Sequence, residues 1–187
     1  MLELHSKLPN QGVTIFSIMS QLAQELGALN LSQGFPDFSP PQALLESLSQ
    51  ATLHGSNQYA AGDGLLALRE QVAKLFLSRD QVVLNPLTEM TITPGATIGI
   101  FSAIQALVHQ GDEVIIFDPS YDSYAPSVQL VGAKAVHIAL KHPDFAVDWQ
   151  QVKDAINAKT RMIIVNTPHN PSGSMWSAQD WHTLIEL

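Results

Sequence analysis

Apolar positions along this chain follow two rhythms. In the first 80 residues they recur at helical spacing. Ile15, Ile18, Met19, Leu22 and Leu26 form one stripe within "IFSIMSQLAQEL", and Gly27 fits the stop after it. Leu44, Leu45, Leu48 and Ala51 line a second helix over 41–54. Leu65, Leu68, Val72 and Leu75 line a third over 64–78. Between the first two, "LNLSQGFPDFSPP" holds too much Pro and Gly for a helix and reads as an extended loop.

From residue 88 short apolar runs alternate with helical stripes. "TEMTIT", "DEVIIF", "AKAVHIAL" and "RMIIV" are strand candidates. Between them lie a helix with Ile98, Phe101, Ile104 and Leu107 aligned and closed by Gly111, a helix over 122–131 ending at Gly132, and "DWQQVKDAINA". The last of these starts at a capping-box-like Asp148 and Gln151. Ser177 with Asp180 starts a final helix carrying Trp181, Leu184 and Ile185. Strands alternating with helices of ten to fifteen residues predict βαβ units and a mostly parallel sheet. The unbroken runs "VIIF" and "MIIV" suit strands buried on both faces. The expected class is therefore α/β, with four strands and a final helix that stops without a Gly or Asn signal, as in a truncated domain.

Composition narrows the partners. The 187 residues are 45% hydrophobic and 14% charged, an ordinary globular balance with enough apolar residues for a core. The formal charge of −8 and the absence of a basic cluster argue against nucleic acid or an anionic membrane as partner. No run approaches the ~20 apolar residues of a membrane helix, and "MLELHSKLPN" lacks a signal-peptide core, so a cytoplasmic protein is expected. With no Cys there is no disulfide or thiolate nucleophile. The seven His residues form no H-x-x-x-H pair, so no metal site is expected. "GDGLLA", Gly62 to Ala67, matches a dinucleotide fingerprint, but the polar "HGSNQYAA" before it is no buried strand, and the match is set aside.

Ligands of open α/β sheets bind beyond the carboxyl ends of the strands. Four segments fall there: "TPGAT", "DPSYDSY", "ALKHPD" and "NTPHNPSG". In the first, Gly95 permits close approach to the backbone, and the amides of Ala96 and Thr97 with the Thr97 hydroxyl would face an anion at a helix N-terminus. A plain N-cap is the alternative. Tyr121 could stack on a planar ligand, or be an ordinary half-buried aromatic. Asn170 offers donor and acceptor, and a cis bond to Pro171 would aim it inward; a simple Pro–Gly turn is the alternative. His169 reads as structural or solvated.

The ordered set "LSQGFPDF", "NQYAAGDGLLALRE", "TPGATIGI", "FDPSYDSYAP" and "NTPHNPSG" resembles the fold-type I, class I/II aminotransferases, within them the methionine and kynurenine (glutamine) branch. The resemblance covers the whole chain but only about the first half of such an enzyme. It implies a three-layer α/β/α PLP-dependent transferase domain. Residues 1–40 would form an N-terminal helical arm and part of the small domain, and 41–187 the first part of the large, cofactor-binding domain.

The resemblance also implies pyridoxal 5′-phosphate as cofactor, an amino acid and a 2-oxo acid as substrates, and a homodimer. Gly95, Ala96 and Thr97 match the phosphate turn, and Tyr121 the ring-stacking aromatic. Asn170 matches the Asn of N-P-x-G, which meets the phenolic oxygen and lies near the substrate carboxylate. Gly34 matches a substrate-binding loop, and Tyr59 a Tyr reaching the neighbouring subunit's phosphate. The family's Schiff-base Lys, its Asp for the pyridine nitrogen, the Tyr after that Asp and its carboxylate-binding Arg all follow the N-P-x-G turn. None of the lysines (Lys7, Lys74, Lys134, Lys141, Lys153 and Lys159) lies in a matching motif. The chain alone is therefore expected to be inactive and to bind the cofactor weakly or not at all. The alternative is a non-catalytic binding protein derived from the fold, or one half of a split enzyme.

Overall fold

The computed structural model describes residues 4–34, 36–55 and 57–187. By its contacts the chain groups into two compact units, Val13–Thr93, and Pro94–Leu187 together with the leading residues up to Gly12.

The first unit holds α1 (Ile15–Glu25), α2 (Gln42–Leu53) and α3 (Leu66–Asp80). Thr14 caps α1 by accepting from the Ser17 N–H, and α1 ends ahead of Gly27 at φ 59°. All three helices form where their periodicity places them. Their apolar stripes stay open, however: Ile15, Leu22, Leu48 and Leu75 are 60%, 43%, 65% and 53% exposed. The tight point of this unit is polar. Arg69 of α3 is buried, pairs with Asp63 at 2.9 Å and donates to the Pro86 carbonyl at 2.6 Å. Gly64, at φ 93°, lies where a Cβ would meet the Ile92 Cβ at 2.6 Å.

The second unit contains every buried hydrophobic residue among those described, from Ile104 to Val152. Its elements are α4 (Ala96–Leu107), β1 (Glu113–Asp118), α5 (Tyr124–Leu130), β2 (Lys134–Ala139), α6 (Trp149–Ala155), β3 (Thr160–Ile164) and α7 (Ala178–Glu186). The strands lie in the order β2-β1-β3, both pairs parallel. The central strand is buried on both faces because its side chains alternate. Val114 and Ile116 pack with Ile104, Val108, Tyr124 and Val128 of α4 and α5 and their flanks. Ile115 and Phe117 pack with Ile138 and Val152, joined by Trp149 and Trp176 on the α6 side. Helices thus cover each face, giving the α/β layering expected.

Two expectations change. "TEMTIT" forms no strand, so the described residues make a sheet of three strands rather than four. Local bonds replace a ladder there. The Glu89 carboxylate accepts from the Asn85 N–H, the Asn85 carbonyl accepts from the Thr88 and Glu89 amides, and the Ile92 N–H donates to Asp63. A strand needs a neighbour for its backbone groups, and none of the described strands pairs with this segment. The second change is at α6. Asp148 caps it by accepting from the Gln150 and Gln151 amides, but the Gln151 side chain reaches the Asp148 carboxylate instead of the backbone, so the box is half made. At α7 both bonds of the Ser177–Asp180 box form.

No described helix is long and apolar enough to cross a membrane.

Candidate functional site

The carboxyl ends of β1 and β3 and the N-terminus of α4 belong to one unit, and they carry the candidate residues. Gly95 is the N-cap of α4 at φ 90°, ψ 163°, a conformation that L side chains rarely adopt. No side chain caps this helix, and its first turn holds no acidic residue. Ala96 and Thr97 are exposed, and the space where a Gly95 Cβ would point is open. The first-turn amides of a helix have no partner within it and carry the positive end of the helix dipole, which suits them to an anion.

Tyr121 follows the end of β1 and is half-buried against the α4–α5 core. Its hydroxyl lies 3.5 Å from the Thr97 hydroxyl, which joins two of the segments picked out by sequence. Tyr124, one turn on, holds the Tyr121 ring edge-to-face at 5.8 Å and 63°. Burial pushes the Tyr124 phenol up from its ordinary value, and a charge on Tyr121 would push it the same way, so Tyr124 stays neutral. The Ser123 Oγ between these rings is buried without a partner.

The turn after β3 is built around His169. The residue is buried at 7% exposure, with Nδ1 2.7 Å from the Ser172 hydroxyl. Its N–H donates to the Ser174 carbonyl at 2.8 Å, and its carbonyl accepts from the Gly173 N–H at 2.7 Å. With the Asn166 amide turned to suit its neighbours, its NH2 donates to the Pro168 carbonyl at 3.0 Å and its oxygen accepts from the Asn170 N–H at 3.1 Å. His169 and Asn166 thus close the turn from inside, while Asn170 is exposed at its tip and the Asn170–Pro171 bond is cis. His169 has the structural role that the sequence suggested.

Two further candidates, Tyr59 and Gly34, lie in the other unit. Tyr59 is fully exposed, and Gly34 is exposed with open space around it. Phe35 of the "SQGFPDF" segment lies outside the described residues. Lys141 is engaged at the protein surface: its ammonium donates to the Asp148 carboxylate that caps α6.

One pair escaped the sequence reading. His137 of β2 approaches Asp118, at the end of β1, at 2.8 Å through Nδ1. The two are 19 positions apart, and only the parallel register that sets Ile116 opposite His137 brings them together.

The residues present fit a phosphate-bearing aromatic cofactor. An uncapped helix start opens over a glycine with free space, two hydroxyls converge beside it, and a positioned ring stands next to them.

Comparison with known proteins gives one consistent result. A family model described as aminotransferase class I and II matches residues 27–187. Methionine aminotransferase from Escherichia coli is 48% identical over 179 residues, covering 96% of this chain and 46% of that protein. Human kynurenine–oxoglutarate transaminase 3 is 36% identical, covering 90% of this chain and 39% of that protein. Among solved structures, E. coli YbdL, described as a methionine aminotransferase, superposes with a TM-score of 0.93 at 46% identity, over all of this chain and 48% of that one. N-succinyldiaminopimelate aminotransferase from Mycobacterium tuberculosis gives 0.92 at 38% identity, over 98% and 48%. The chain spans a little under half the length of the curated relatives it matches.

Proposed function

The chain belongs to the class I and II aminotransferases, and on that premise we propose that it forms the amino-terminal part of a pyridoxal 5′-phosphate-dependent enzyme moving an amino group between an amino acid and a 2-oxo acid. The observation that carries this reading is the exposed start of α4, which no side chain caps, with the Thr97 and Tyr121 hydroxyls 3.5 Å apart beside it. When bound, the cofactor supplies an electron sink for the bonds at the amino-acid α-carbon.

This chain's residues supply grip and orientation. The Ala96 and Thr97 amides and the Thr97 hydroxyl hold the phosphate. Tyr121 covers one face of the ring, at an angle set by Tyr124. Asn170 would bond the ring's phenolic oxygen near the substrate carboxylate, and Gly34, by its match to the family's loop, would offer its backbone to the substrate. Tyr59 serves the phosphate of a second subunit, so a homodimer belongs to the same proposal, as do a cytoplasmic location and the division into an arm, 1–40, and a large-domain portion, 41–187. Methionine, glutamine and aromatic amino acids are the proposed substrate range; of these, methionine stands in the name of a 48% identical relative. The anchoring Lys is not among this chain's motifs, so the chain alone is proposed to be inactive. A standalone binding role is less favoured, because the family match runs over residues 27–187 and the relatives are named as aminotransferases.

Amide chemical shifts test the grip. Titration with pyridoxal phosphate, and with inorganic phosphate, should move the Ala96 and Thr97 resonances, and pyridoxal without its phosphate should not. Unmoved resonances at both positions would sink the phosphate assignment. Borohydride reduction with cofactor present tests the missing anchor, and a stoichiometric adduct on Lys141 would overturn it.

A further inference from the structure

All three tryptophans of the chain meet in one cluster. Trp176, just past the turn after β3, packs on Trp149 of α6 at 5.2 Å and 73°, and on Trp181 of α7 at 5.2 Å and 62°. It also meets Phe117 at 5.5 Å, which ties the cluster to the core on the α6 face of the sheet. Beside these rings opens a cavity of about 280 Å³. Trp149, Trp176, Phe145 and Met175 line it, together with two acids, Asp144 and Asp180. None of the residues assigned to the cofactor lines it.

Two of these walls are held in specific ways. Phe145 sits at φ 52°, a strained conformation for an aromatic residue that persists only where the surroundings hold it. The bridge between Lys141 and Ala146, in which the Lys141 N–H donates to the Ala146 carbonyl at 3.2 Å, closes the loop around it. The Asp180 carboxylate accepts from the Ser177 N–H at 2.7 Å, from the Ser177 hydroxyl at 2.6 Å and from the Trp149 indole N–H at 3.0 Å. The Ser177 hydroxyl first, and Trp149 after it, hold this carboxyl below its usual range, so it is charged at neutral pH. Those donors are neutral and leave the charge uncancelled. Among the described residues no Lys, Arg or His forms an ion pair with Asp144 or Asp180. Lys141 is taken by Asp148, and His142 stands edge-to-face with Phe145 at 5.9 Å.

Rings inclined to one another beside uncancelled negative charge attract a cation twice over, through the ring quadrupoles and through Coulomb force. A guanidinium or a primary ammonium also needs acceptors for its N–H groups. Asp180 has little accepting capacity left, and Asp144 is exposed to water, which competes for it. We infer that this cavity binds a small quaternary ammonium cation of the choline type. Such a cation has a diffuse charge and no N–H, so it takes what the walls offer, ring faces and a nearby negative charge, and asks for no hydrogen bond.

Titration with choline chloride tests it. Tryptophan fluorescence reads this cluster alone, because every tryptophan lies in it. Emission should change saturably with a midpoint of about a millimolar or below, and the Trp149 indole N–H resonance should move with it. The uncharged alcohol in which carbon replaces the choline nitrogen should bind roughly tenfold or more weakly. Sodium chloride at matched concentration should give no saturable change. Phe145→Gly removes one wall and suits the φ of 52° there, so circular dichroism should show a folded chain. Its affinity for choline should fall roughly tenfold. Asp144→Lys, at an exposed position, sets a tethered cation at the rim and should weaken choline similarly. Glu70→Lys, an equal change of charge at an exposed position in the other unit, should not. If Phe145→Gly unfolds the chain, Asp144→Lys decides alone. No saturable response, equal binding of the uncharged alcohol, tighter binding of guanidinium than of choline, or unchanged affinity in a folded Phe145→Gly or in Asp144→Lys would each overturn the inference. So would an equal loss in Glu70→Lys.

Discussion

Gly95 and Gly64 share a positive φ but not their surroundings. A Cβ at Gly95 would project into open space, so Gly95→Ala carries backbone strain alone, about 1–3 kcal/mol. At Gly64 the same strain meets the Ile92 side chain at 2.6 Å, adding an overpacking cost of about 1–3 kcal/mol. Urea unfolding should therefore rank Gly64→Ala as the more damaging, while Gly95→Ala alone should suppress the phosphate-induced amide shifts. The reverse ranking would mean that the Ile92 contact relaxes freely. His169 gives a second expectation at this scale. Its bonds lie within the turn, so His169→Ala should speed hydrogen exchange at Gly173 and cost about 1–2 kcal/mol. Unchanged exchange at Gly173 would show that the backbone holds the turn without the imidazole.

At the scale of the element, α6 shows how one carboxylate serves two partners. The Lys141 ammonium, and after it the Gln151 amide, hold the Asp148 carboxyl below its usual range. A carboxyl depressed in the folded state adds stability that is full above its unfolded pKa of about 3.9 and is lost as pH falls through the lower folded value. Asn also caps helices well, so Asp148→Asn removes the charge and keeps the cap. The substitution should lower stability at neutral pH, and the difference should shrink as the pH falls through the folded value of Asp148 and vanish below it. Thermal unfolding across that range checks it, and a pH-independent difference would place the effect in the cap instead of the ion pair. The first three helices carry a different lesson. Their periodicity marked a face correctly, yet that face is open, because periodicity says which side chains align and not what covers them.

At the scale of the molecule, the exposed stripes of α1, α2 and α3 and the free edge of β3 leave a large apolar surface. Concentration-dependent self-association of the isolated chain is the expected outcome in sedimentation velocity. A monomer at all concentrations would show that these faces are covered within the chain.

Much was legible in the residues themselves. Helix caps at Asp148 and Ser177, glycine stops at Gly27 and Gly132, and the unbroken apolar runs of β1 and β3 are local or short-period signals, and they determine the alternation of strand and helix; α4 ends at Leu107, ahead of the stop expected at Gly111. The ordered motifs around Gly95, Tyr121 and Asn170 carried the resemblance to the family that the comparisons show. Tertiary structure decided whatever depends on a neighbour far away in the chain. "TEMTIT" has strand-like residues but no partner strand among those described, so its amides turned to Asp63 and Asn85. The Asp118–His137 pair and the meeting of Thr97 with Tyr121 exist through parallel register and a helix laid on one face. Sequence records the hydrogen-bonding capacity and the apolar side of each segment; which partner satisfies them is settled when the strands take their places in the sheet.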